Sequence, residues 1–153
     1  MEHRRIPVNV QFRPFVMSDL LTVRPHMPYA ATETTRGIVA YDQNTAETLA
    51  VFLMDSWTRT SAQVHQVILK TMVIRHGWFE EIARYMYGTA GRKKVYATVP
   101  DTHARALSLN EKIGFEQVAR LSDAWDEGVD YLVLEMTREN CKYWVPEKLR
   151  MVS

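Results

Sequence analysis

Cysteine occurs once in this 153-residue chain, at Cys141, which excludes an intramolecular disulfide and any paired-cysteine framework for structural zinc. An excess of one charge is also missing. The 19 Lys and Arg against 18 Asp and Glu leave a formal net charge of +1, so no polyanion is expected as main partner and nucleic acid is disfavoured. No apolar run approaches the roughly 20 residues of a membrane span. The start, MEHRRIPVNVQF, is basic but lacks the apolar stretch of a signal peptide. The expectation is a soluble, unexported protein of a reducing cytoplasm, with no membrane partner. The five histidines, His3, His26, His65, His76 and His103, show no HExxH spacing, and nothing resembles a calcium loop, so no dedicated metal site is expected. A Walker A loop and a Gly-x-Ser-x-Gly elbow are likewise absent. Without a repeat, a low-complexity tract or a Gly/Ser linker, the chain reads as one domain over residues 1–138 followed by a tail over 139–153.

What is present is an ordinary globular balance, 46% hydrophobic and 24% charged residues, in a chain long enough to bury a substantial core. Val8 to Phe12 reads as a first strand before Ser18 or Asp19 caps a short helix. Arg36 to Tyr41 and Thr48 to Met54 read as strands of a hairpin joined by DQNTAE, and Gln63 to Leu69 as a third run rich in Val, Ile and Leu. In RHGWFEEIARYMYG, the residues Phe79, Ile82, Ala83 and Met86 fall at i, i+3, i+4 and i+7, which predicts a helix that Gly88 would stop. Lys94 to Val99 then reads as a strand, and Phe115 to Leu121 with Val129 to Met136 as a terminal pair around DAWDEG. Between them, DTHARALSLNEKIGFEQV gives an amphipathic helix over residues 102–113. Asp101 suits its N-cap, Ala106, Leu107, Asn110 and Ile113 recur at helical spacing, and Gly114 suits the left-handed residue at its end.

That last stretch, through His103, Ala106, Leu109, Asn110, Glu111, Lys112, Gly114 and Phe115, resembles the coenzyme-contacting helix of the GNAT superfamily of N-acetyltransferases. The resemblance covers roughly residues 10 to 138. WTRTSAQVH, RHGWFEE and GVDYLVLEM further resemble the divergent GNAT-like proteins encoded by tailed bacteriophages. It implies an α/β fold, a single-domain GNAT fold with a mixed, mostly antiparallel sheet of about seven strands flanked by helices. It also implies an acetyl-CoA-dependent N-acetyltransferase whose acceptor is an unidentified amine or protein. Direct attack in a ternary complex would be the route. A second copy of the chain or a virion protein is a further partner that the resemblance allows, in a host cytoplasm or in the virion.

The same resemblance assigns sites. The coenzyme pyrophosphate would lie where a strand runs into a helix, because the first backbone N–H groups of a helix are unpaired and its dipole is positive there. The matching residues are Thr71, Met72, Val73, Ile74, Arg75, His76, Gly77 and Trp78, with the N–H groups near Thr71 to Val73 aimed at the acetyl carbonyl. Gly77 permits close approach of a phosphate and Arg75 can pair with one, whereas Trp78 and Phe79 put bulk where the family has a small residue. An ordinary capped helix with a surface Arg is the competing reading. His103 and Ala106 would flank the coenzyme, His103 standing where Asn is usual and equally able to hydrogen-bond at the first turn of its helix. Asn110 occupies the place of the tyrosine that protonates the leaving thiolate, and a carboxamide is no acid near neutral pH. His65 lies on the strand that runs beside the acetyl group, as a general base or a hydrogen-bonded structural histidine. Strand alternation leaves open which of its faces looks into the cleft. Asn110 and the bulk at residues 78 and 79 support a second class of function, a catalytically impaired GNAT fold used as a virion or host-interaction protein. Cys141 is expected to be an inert packed thiol, and Tyr143, Trp144, Val145 and Pro146 to pack on the body or on a partner.

Overall fold

The computed structural model describes residues 6–145. His3 and Pro146 lie outside the described residues. Seven strands form the sheet: β1 (Val10–Pro14), β2 (Arg36–Asp42), β3 (Thr48–Asp55), β4 (Ser61–Ile68), β5 (Lys94–Pro100), β6 (Glu116–Asp126) and β7 (Val129–Thr137). Their order is β1-β2-β3-β4-β5-β7-β6. The β1–β2, β2–β3, β5–β7 and β6–β7 ladders are antiparallel, and β4–β5 is parallel over Ser61–Gln63 against Lys94–Tyr96. Helices α1 (Leu20–Val23), α2 (Trp78–Ala83) and α3 (Ala104–Ile113) complete an α/β fold, as expected. Two compact units divide the chain, one of residues up to Asp55 with His65–Trp78, the other of Ser56–Val64 with residues from Phe79 onward.

In the first unit, the Val- and Leu-rich runs of β2 and β3 pair in the expected hairpin, and Asp42 closes its turn by accepting the Asn44 N–H at 3.0 Å. Val23, Val39, Val51 and Leu53 form the core, with Phe15, Met27, Tyr29 and Val67 packed against it. Gly37, opposite Leu53 in the ladder, has no room for a side chain, because a Cβ would lie 2.0 Å from the Phe52 carbonyl oxygen. The first strand begins two residues later than the sequence pattern suggests and runs to Pro14, because Pro14 pairs with Ile38 before Phe15 donates to the Gly37 carbonyl at 2.9 Å. Asp19 then accepts from Arg13 at 2.7 and 2.9 Å and from the Val16 N–H at 2.9 Å, fixing the entry to α1. Burial alone would raise the Asp19 carboxyl, but these donors hold it below the usual range.

In the second unit, Phe79, Ile82, Ala83 and Met86 are buried as their spacing predicts. Gly88 does not stop this helix. The chain widens into π-type hydrogen bonding over Arg84–Thr89, with the Ala90 N–H donating to the Tyr85 carbonyl at 2.8 Å, and Gly91, at φ 63°, makes the left-handed exit. Tyr143 stacks at 5.2 Å from Phe79 and Trp144 at 5.9 Å from Tyr87, so these two tail aromatics pack on the body. Cys141 is buried, and that burial pushes its thiol up. Asp101 is not the N-cap of α3. β5 extends through Pro100, the Asp101 N–H bonds the Asp130 carbonyl at 2.9 Å and its carboxylate takes Arg120, so His103 becomes the capping position. Gly114 does end α3, at φ 134°, with its N–H on the Asn110 carbonyl at 3.2 Å. β6 runs further than expected, to Asp126, by a bulge in which Asp123 takes φ 52°.

Candidate active site

His65 sits in the first unit on β4, and its side chain is 20% exposed. Its Nε2 lies 3.2 Å from Oδ2 and 3.3 Å from Oδ1 of Asp55, the last residue of β3. The Tyr29 hydroxyl donates to the same Oδ2 at 2.5 Å and lies 3.1 Å from the Thr35 hydroxyl. The Tyr29 ring meets the imidazole edge-on, centroids 4.9 Å apart. Burial and the bond to Asp55 push the Tyr29 phenol well above its usual range, so it stays a donor. His65 is therefore hydrogen-bonded through Nε2, while among the described residues Nδ1 has no hydrogen-bond partner. Tyr29 and Asp55 carry no motif that the sequence alone displays. The signal available was a lone acid closing the apolar run TLAVFLMD.

Residues 71 to 78 do not carry a strand straight into a helix. A 3-10 helix, Thr71–His76, intervenes, and Gly77 ends it in left-handed conformation at φ 87° with its N–H on the Val73 carbonyl. Val73 is buried and its N–H is committed to the Lys70 carbonyl at 3.2 Å, so it is not available to an acetyl oxygen. Thr71 and Met72 supply the first two donors of this turn, ahead of its first i to i+3 bond. Arg75 and His76 are exposed and Ile74 half-buried. Trp78 is wholly buried, 6.1 Å from Phe12 with its indole N–H on Gln66 Oε1 at 3.2 Å. Its bulk fills core and leaves only its backbone for a ligand.

In the second unit, His103 is exposed at the N-cap of α3 without a side-chain cap, and its ring lies 6.0 Å from Trp125, itself 5.4 Å from Tyr131. Ala106 is half-buried one turn before Asn110, which is only 9% exposed. The Asn110 carbonyl accepts from Gly114 and Phe115, but among the described residues its carboxamide has no hydrogen-bond partner. Among the described residues no side-chain nitrogen or oxygen is both buried and unpaired, so the carboxamide keeps an edge open to solvent. A cavity of about 710 Å³ opens beside Leu107, Glu111, Phe115, Leu132, Leu134 and Lys142, and no candidate residue lines it. Among the described residues, no group of three or more His, Cys, Asp and Glu side chains is arranged for a metal ion. No described helix is long and apolar enough to cross a membrane.

No protein-family model matches the sequence, and no curated protein matches it. Solved structures do match. The spermidine/spermine N-acetyltransferase SpeG from Vibrio cholerae, in complex with manganese ions, superposes with a TM-score of 0.71 at 12% identity over 94% of this chain and 97% of that one. The chain has the GNAT fold. The Vibrio cholerae enzyme in complex with CoA and spermine gives a TM-score of 0.68 at 13% identity, covering 86% of this chain and 96% of the other. A chimera of that enzyme with hSSAT gives 0.67 at 14% identity over 85% and 96%. Identity this low establishes architecture and leaves chemistry to the residues.

Proposed function

We propose that the chain is an acetyl-CoA-dependent N-acyltransferase that places an amine for direct attack on the thioester. The observation that carries this reading is the His65–Asp55 pair, with Nδ1 of His65 left open, on the fourth strand of a GNAT sheet. The amine nitrogen bonds to the acetyl carbon, the C–S bond breaks, the amine proton goes to His65 and the thiolate departs with a proton from solvent. In the first unit the Thr71 and Met72 N–H groups polarise the acetyl oxygen, and in the second the family resemblance alone assigns Asn110 to the sulfur, as a donor that cannot protonate it. The resemblance assigns the remainder of the coenzyme to backbone at Gly77 and Trp78 with Arg75 and His76 in the first unit, and to His103 and Ala106 in the second. Positioning supplies most of the rate in such a step, and a missing acid costs about 10²–10⁴-fold.

Acceptor chemistry follows from the leaving proton: a primary or secondary amine, with spermidine and spermine the first to assay because structural neighbours are polyamine acetyltransferases. The competing reading, a non-catalytic interaction protein, is supported by Asn110. Its second support falls away, since Trp78 and Phe79 are core residues. Calorimetric titration with acetyl-CoA, followed by thiol release with an amine panel, tests the proposal. Saturable binding with amine-dependent release is expected. No binding would reject the acyltransferase reading.

A further inference from the structure

Four hydrogen bonds around His65 converge on the Asp55 carboxylate. The Thr32 N–H donates to Thr35 Oγ1 at 3.0 Å, and because the single Tyr29 proton is taken by Asp55, the Thr35 hydroxyl is the donor to the Tyr29 oxygen at 3.1 Å. The Tyr29 proton in turn goes to Asp55 Oδ2 at 2.5 Å. A carboxylate only accepts, so the imidazole nitrogen that faces both Asp55 oxygens, Nε2, must carry a hydrogen to bond there. A lone pair on Nε2 would point at two carboxylate lone pairs. The Tyr29 ring, set at 61° to the imidazole, resists rotation of the ring out of this arrangement. Thr35, only 6% exposed, anchors the network in the first unit.

We infer that Asp55 is a positioning residue, held by Tyr29 and Thr35, which fixes His65 in its Nε2–H tautomer and makes Nδ1 the atom that removes the acceptor amine's proton. The inference rests on the acyltransferase reading for its catalytic half. The amine N–H bond breaks as the nitrogen bonds to carbon, the proton moves to Nδ1, and the imidazolium so formed lies against the Asp55 carboxylate, which stabilises it. Release of that proton from Nδ1 to solvent restores the base. Asp55 touches neither substrate nor coenzyme in this scheme.

The test separates tautomer from activity. Long-range proton–nitrogen correlation spectra of ¹⁵N-labelled protein should show His65 as the Nε2–H form, and Asp55→Asn should raise the Nδ1–H population, because a carboxamide can donate to Nε2. An Nδ1–H tautomer in the unmodified protein, or no change in Asp55→Asn, overturns the inference. Acetyl-CoA alone then serves as probe through its slow hydrolysis, in which Nδ1 takes a proton from water. Asp55→Asn should lower kcat about 10²–10⁴-fold with KM for acetyl-CoA unchanged, and Tyr29→Phe, which keeps the ring on His65, should lower it less. Tyr29→Phe keeps the test open should Asp55→Asn fail to fold. Equal kcat in a folded variant, or a rise in KM alone, overturns the catalytic half. A correct tautomer in a protein that binds no acetyl-CoA rejects the acyltransferase reading, and the catalytic half with it, while the tautomer assignment stands on its spectra.

Discussion

Gly114→Ala tests whether the Gly-Phe pair that ends α3 is fixed by space as well as by conformation. Its φ of 134° lies where L-residues are rarely found, which by itself costs about 1–2 kcal/mol. The added Cβ would also stand 2.3 Å from the Asn140 carbonyl oxygen and 3.2 Å from the Cys141 Cα. That carbonyl belongs to backbone that cannot yield freely. Asn140 and Cys141 both donate to the Thr137 carbonyl at 3.1 Å, and the Lys142 N–H donates to the Ile113 carbonyl at 2.9 Å. Moving it loses about one hydrogen bond, worth about 1 kcal/mol, or else compresses the contact at about 1–3 kcal/mol. The total is roughly 2–5 kcal/mol, a Tm drop of roughly 4–20 °C for a chain of this size. Gly91→Ala and Gly128→Ala are the controls, since both glycines have positive φ, 63° and 72°, and nothing stands within 4 Å of a Cβ there. Each control should lose about 1–2 kcal/mol in chemical denaturation. If Gly114→Ala proves no more costly than the controls, the close approach of the Asn140 carbonyl is not what selects glycine.

Asn110→Tyr should raise acetyl-CoA turnover, because a phenol supplies the proton that a carboxamide cannot; unchanged turnover with fold and affinity intact would count against Asn110 lying beside the thiolate. A melt must accompany it, since overpacking at this buried position costs about 1–3 kcal/mol. Gly77→Asn and Gly77→Asp are nearly the same shape and both tolerate left-handed backbone, so a coenzyme phosphate at this turn should make Asp the weaker binder by calorimetry. Equal affinities would move the phosphate elsewhere. Alkaline titration followed by ultraviolet absorbance should leave Tyr29 and Tyr87 protonated above the usual phenol range while the fold persists. Burial pushes Tyr29 up, reinforced by Asp55, and burial pushes Tyr87 up, reinforced by the charges of Cys141 and Glu139. A raised folded-state value contributes stability that is complete below about pH 10 and declines as pH rises beyond it. Ionisation of Tyr29 and Tyr87 near that pH in the folded protein would refute the burial argument.

Periodicity carried most of the architecture. Continuous apolar runs placed β2 and β3, which are buried on both faces, and alternation placed β5 and β7, whose pleat turns one side toward a core, each to within a residue or two. The i, i+3, i+4, i+7 pattern placed Phe79, Ile82, Ala83 and Met86 inside. It could not place the end of their helix, because the π-type widening depends on carbonyls with no residue signature of their own. Asp101 misled as a cap for a related reason. Its polar side chain satisfies Arg120 equally well, and the choice is made by the β7 strand that pairs with β5 up to Pro100. The candidate site was legible only in fragments. His65 and Asn110 showed in the pattern, but Tyr29, Thr35 and Asp55 meet His65 through pairing of strands and a loop far apart in sequence.

The two departures from the family pattern carry different weight once their neighbours are known. A second small residue after Gly77 is needed only where the chain passes directly from strand to helix and backbone packs against a phosphate. Here a 3-10 helix takes up that passage, Gly77 serves as its left-handed end, and the next side chain is turned into the core against Phe12 and Gln66. Bulk at Trp78 is thus a consequence of local geometry. It says nothing against a phosphate at the exposed Thr71, Arg75 and His76 side of the turn. Asn110 has no such local explanation: the residue is 9% exposed and its carboxamide makes no hydrogen bond among the described residues, yet no polar side-chain atom among them is both sealed from solvent and unpaired. Water alone satisfies its open edge, so Asn110 by itself calls for no ligand, and the turnover of Asn110→Tyr is what decides whether the side chain lies beside a thiolate.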